Sequence, residues 1–172
     1  MGWSDALNGI LQRYTGAGGG TGAAPADAHE DFQRVAQAAP QDVASAGVEQ
    51  AFRSDRTPPF PQMVSQMFGQ ADPNQRAGLL NRLLGSVGPG ALAGVSGLSV
   101  LPSLLGGSRQ VSPQQATQVP PQEVEQLAAH AERSNTGVVG EVSNFVTQHP
   151  NAMKALGGLA AAIAIQHIAN RR

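Results

Sequence analysis

Apolar residues recur along this chain at helical spacing, in short runs that Gly, Pro or capping residues interrupt. Trp3, Leu7, Ile10, Leu11 and Tyr14 form the first stripe, which stops at Gly16. A second run carries Phe32, Val35, Ala36 and Ala39, and Pro40 separates it from a third with Val43, Ala44, Gly47, Val48, Ala51 and Phe52. Phe60, Met63, Val64, Met67 and Phe68 give a clean i, i+3, i+4, i+7, i+8 pattern. Asp72-Pro73 has the form of a helix start, and Leu79, Leu80, Leu83 and Leu84 line that helix until Gly85. Ser112-Pro113 and Pro120-Pro121 open further helices. The later stripes are Val124, Leu127, Ala128, Ala131 and then Val138, Val139, Val142, Phe145, Val146. The fold class this predicts is all-α, built from short helices.

Two stretches break the pattern. Residues 15–28 hold glycines at 16, 18, 19, 20 and 22 and a proline at 25, the composition of a flexible linker. Residues 85–108 contain seven Gly and two Pro among apolar side chains, with no charge between Arg82 and Arg109. That density of breakers argues against a membrane-spanning helix, and its apolar residues call for cover by the fold, a partner or lipid. Val95 to Val100 also reads as a possible short strand. The last 18-residue stretch, 152–169, is about 27 Å long as a helix, just short of a bilayer core of roughly 30 Å. It is apolar nearly all round, because Ile163 and Ile165 point about 200° apart. This predicts the central helix of a C-terminal unit or of an oligomer interface, with membrane-surface attachment as the alternative.

The run Asp31-Phe32-Gln33-Arg34-Val35-Ala36 matches Glu123-Val124-Glu125-Gln126-Leu127-Ala128 in character, and each is followed at similar distance by a Phe, Phe52 or Phe145. Two related three-helix units are one reading, and convergent helix patterning is the other. The organisation expected is an N-terminal amphipathic helix (1–14), a Gly-rich linker (15–28), a first helical unit (29–84), an apolar connector (85–111) and a second unit (112–172).

Composition narrows the function. Leu, Ile, Val and Phe make up about 22% of the 172 residues, enough for a small core. Charged residues are 13%, against about 25% in an ordinary domain, and the net charge is −1. No basic excess is present to drive phosphate contacts, so nucleic acid is not an expected partner. Cys is absent, which excludes disulfides and Cys metal sites. The N-terminus lacks a basic region followed by an apolar run, so no secretory signal is expected. The expected location is cytoplasmic, with the inner face of the membrane as a variant.

No catalytic constellation emerges. His29, His130, His149 and His167 do not fall at the spacing of a helical metal pair, no Gly-x-Ser-x-Gly elbow occurs, and no phosphate-binding loop carries the required Lys. The acidic residues are spaced as on solvated helix faces. No enzyme activity and no cofactor are expected. Arg53-Ser54-Asp55-Arg56-Thr57-Pro58-Pro59-Phe60 is the densest polar feature, either a proline-fixed corner or a contact loop. With the helical run 29–84 around it, and with Glu141 to Gly158, it resembles a family of small uncharacterised bacterial helical proteins. That resemblance implies no activity and no site.

The function this predicts is a non-catalytic helical scaffold that assembles with itself or joins a larger complex as an accessory subunit. Small Ala- and Gly-rich helix faces favour close helix contacts. Candidate interaction residues are Trp3, Leu7, Phe60, Met63, Met67, Ile163, Ile165 and Ile168. The rival is a peripheral membrane or apolar-ligand module, such as a lipid or quinone carrier, with its pocket around residues 85–105.

Overall fold

The computed structural model describes residues 2–15, 26–88, 90–149 and 151–171. It is all-α, with no strand among these residues. The linker expected over 15–28 lies mostly outside them. The chain divides into two compact units, which do not follow the sequential division expected. Unit 1 takes both chain ends, Met1–Pro58 and Ser143–Arg172, and unit 2 takes Pro59–Val142.

Unit 1 is organised by the last helix. The expected helix over 152–169 is two helices, α11 (Ala152–Leu156) and α12 (Gly158–Asn170). Gly157 separates them at φ +85°, a backbone conformation that only glycine adopts cheaply. Helix α12 is apolar on all sides and needs cover on all sides. It packs against α2 (Asn8–Thr15), α3 (Ala28–Ala38) and α4 (Gln41–Phe52), which is why the C-terminus completes the N-terminal unit. The first stripe is likewise split, with the one-turn α1 (Trp3–Ala6) ending before Leu7.

A buried carboxylate ties α2 to α3. Asp31 accepts hydrogen bonds from the Tyr14 hydroxyl at 3.0 Å and from Arg13 Nη2 at 3.1 Å. Burial, and then the neighbouring Asp31, hold the Tyr14 hydroxyl protonated far above its ordinary range.

Unit 2 is built on α5 (Phe60–Gln70), α6 (Pro73–Val87) and α9 (Pro121–Ser134). Helix α9 packs on both α5 and α6. Asp72 caps α6 by accepting from the Gln75 amide, with Pro73 at the first helical position, as the sequence pattern predicts. Arg76 returns over the corner, its guanidinium 5.2 Å from the Phe68 ring centre and donating to the carbonyls of Gly69 and Ala71. Between α6 and α9 the chain forms a 3₁₀ turn (Ala91–Gly94) and the short helices α7 (Val100–Leu105) and α8 (Pro113–Ala116). Residues 95–99 form no strand, and the stretch expected as a connector packs into unit 2 through buried Leu101 and Leu105. Helix α10 (Val138–Gln148) runs across the division between the units.

Helices α4 and α12 approach closely at Gly47 of α4. A Cβ there would meet the Ala164 carbonyl oxygen and Ile168 Cγ1, each at 2.7 Å. Because one of the two contacts is a backbone oxygen, the overpacking cost lies toward the upper end of about 1–3 kcal/mol and exceeds the helix-propensity gain of about 1 kcal/mol, so Gly47→Ala destabilises the protein by about 1–2 kcal/mol net. Urea unfolding followed by circular dichroism measures it. An unchanged or raised midpoint would mean that α4 and α12 are not held this close.

Candidate apolar cleft

Helix α7 has six residues, too few to hold helical shape in water alone. Its position comes from α9. Glu123 stands in the first turn of α9 with only 4% of its surface exposed. Its Oε1 accepts from the Ser99 amide (2.9 Å), the Ser99 hydroxyl (2.7 Å) and the Val100 amide (2.8 Å), and its Oε2 accepts from the Leu101 amide (2.9 Å). The carboxylate thus serves the free N–H groups at the start of α7. Burial alone would push Glu123 up. The hydrogen bonds from Val100, Leu101 and Ser99 outweigh it and hold the carboxyl below its ordinary value.

The other end of α7 is tied as well. Gln115 Nε2 donates to the Leu104 carbonyl at 2.8 Å, while its Oε1 accepts from the Ser112 amide in the capping box of α8. The Asn81 side chain of α6 clasps the backbone of Val111, accepting from its amide at 2.7 Å and donating to its carbonyl at 3.1 Å. These bonds fix α7 and the loop after it beside the C-terminal end of α6.

Between them lies a cleft of about 600 Å³, within the range of roughly 300–1,000 Å³ of small-molecule sites. Leu84, Leu92, Pro102 and Leu105 supply its apolar walls, and Gly85, Gly88 and Gly107 line it without side chains. Asn81, Ser108, Gln110 and Arg109 are its polar groups, and no carboxylate is among its described lining residues.

None of the residues expected to contact a partner lines this cleft. Phe60, Met63 and Met67 point into the core of unit 2, each at most 2% exposed. Ile163, Ile165 and Ile168 are buried on α12, and Leu7 is buried beside α2. Trp3 is half-buried. Except for Trp3, these side chains are buried within their own units. The sequence signal that does reach the cleft is the uncharged stretch between Arg82 and Arg109.

Among the described residues, no group of three or more His, Asp or Glu is placed to hold a metal ion. No helix of these residues is long and apolar enough to cross a membrane. No family model matches this chain, and no curated protein or solved structure is significantly similar to it.

Replacing Glu123 with Ala removes the acceptors of three backbone amides and costs about 2–4 kcal/mol. Because the folded carboxyl titrates below its unfolded value, its contribution is present at neutral pH and is lost as pH falls through and beneath the ordinary carboxylate range. Hydrogen-exchange protection factors at Val100 and Leu101, taken relative to the intrinsic rate at each pH, should fall in acid in the native protein and already at neutral pH in Glu123→Ala. Unchanged protection at both amides in the variant would show that α7 is held by something else.

Proposed function

We propose that this chain is a non-catalytic helical module that works by holding an apolar small molecule in the unit 2 cleft. The observation that carries the reading is the cleft itself: concave, walled by four apolar side chains, floored by glycines and framed by a helix that side-chain bonds lock in place. Rigid walls matter because a preformed site does not spend binding energy on ordering. The two most buried carboxylates, Asp31 and Glu123, are engaged in holding segments of the fold together, which favours a structural use of these groups over acid–base chemistry. The apolar stripes of the longer helices are buried inside the units, which favours a ligand module over a self-assembling scaffold.

Gly85 provides the test. It lies within α6 and lines the cleft, and a Cβ built on it meets nothing within 4 Å. A side chain placed there starts in open space at the cleft, so Gly85→Phe is chosen to fill it. The neutral fluorophore N-phenyl-1-naphthylamine should bind the native protein saturably with one site per chain. The Gly85→Phe variant should lose at least about tenfold in affinity, which corresponds to roughly 1.4 kcal/mol, with its thermal midpoint unchanged or raised. Equal binding by both proteins, or no saturable binding, would reject the cleft as a ligand site.

A further inference from the structure

We infer that the ligand of this cleft is an amphiphile, an alkyl chain ending in a single anionic group, and that Arg109 selects the head. The inference rests on the proposal that the cleft holds an apolar molecule, and it adds the chemistry of the other end. Among the described residues that line the cleft Arg109 is the one charged side chain, exposed beside Ser108 and Gln110 at the edge where the chain leaves α7. It forms no ion pair with a described residue. Arg13 and Arg34 pair with Asp31, Arg53 pairs with Glu49, and Arg76 donates to two carbonyls beside the Phe68 ring; Arg56 and Arg171 are exposed without an ion pair to a described residue, as Arg109 is, and Arg109 differs from them in lining the cleft. With no carboxylate in the lining to answer it, a guanidinium at an apolar cleft favours an anionic oxygen group, which it can bind through two parallel N–H bonds.

The division of the lining matches such a molecule. Leu84, Leu92, Pro102 and Leu105 offer apolar contact for a chain, while Asn81, Ser108, Gln110 and Arg109 offer polar groups for the head. The site is a concave pocket, which takes one molecule at a time. A bilayer would meet a convex or flat apolar face instead. The competing use of Arg109 lies in the C-terminal ends of α6 and α7, whose carbonyls attract a cation by the helix dipole.

Decanoate and decanol share a chain and differ in the head. Each is titrated against the full chain carrying N-phenyl-1-naphthylamine, in the native protein and in Arg109→Gln. Decanoate should displace the probe at about tenfold lower concentration than decanol, and Arg109→Gln should erase that gap by weakening decanoate alone. If both compounds displace the probe equally in the native protein, the head-group assignment is wrong while the apolar cleft stands. If Arg109→Gln lowers the thermal midpoint and leaves the gap intact, Arg109 answers helix carbonyls and the assignment is again wrong. If neither compound displaces the probe, or the probe itself does not bind, the cleft reading fails and takes this one with it. Co-sedimentation with phosphatidylglycerol vesicles, without displacement by free decanoate, would assign the anionic contact to a membrane surface and overturn the inference.

Discussion

The carboxylate of Glu123 is the group on which the architecture of unit 2 turns. A six-residue helix flanked by glycines has no stability of its own, and the chain from 88 to 108 carries no charge with which to hold it. One side chain from the first turn of α9 receives three backbone amides and a hydroxyl, and so sets where α7 begins. Leu101 and Leu105 can then bury, the loop to Val111 can be clasped by Asn81, and a wall stands opposite the end of α6. A buried charge is costly unless its lone pairs are met, and here four donors meet them.

Unit 1 uses the same device with other partners. Asp31 in the first turn of α3 receives Tyr14 and Arg13 and fastens α2. The two carboxylates occupy matching positions in the faint repeat, the first residue of Asp31-Phe32-Gln33-Arg34-Val35-Ala36 and of Glu123-Val124-Glu125-Gln126-Leu127-Ala128. In each unit an acid in the first turn of a longer helix holds a shorter segment that precedes it in the chain. Asp31 and Glu123 are buried where several donors reach them, while Asp42, Asp55, Asp72 and Glu141 stay exposed.

Local pattern made the helices legible. The stripe of α5, the cap of α6 and the proline starts of α8 and α9 lie where their residues predict, because each depends only on neighbours in the chain. The assembly of the units was not legible, because it depends on which apolar faces meet across more than a hundred residues. Helix α12 announces through Ile163 and Ile165 that it needs cover on all sides, but nothing local says that α2, α3 and α4 provide it. At Gly157 a positive φ breaks the apolar stretch into α11 and α12. A stripe such as Phe60, Met63 and Met67 is more commonly core than a groove for a partner, and these side chains are buried within unit 2. At the cleft, the uncharged glycine-rich stretch pointed to the right region. Asn81 and Glu123 went unrecognised there because an isolated polar residue on a helix shows no partner in sequence.

The account makes unit 2 a rigid frame around an apolar space, with chemistry confined to its edge. Its central claim is that an apolar molecule enters between α6 and α7 and touches little else. Amide chemical shifts of the isotope-labelled chain, recorded while N-phenyl-1-naphthylamine is added, test that claim directly. The account predicts saturating shifts at Leu84, Gly85, Gly88, Leu92, Leu105 and Gly107, with α2, α4 and α12 unmoved. Shifts centred on the buried stripes of α5 or α12, or spread evenly over the chain, would contradict it.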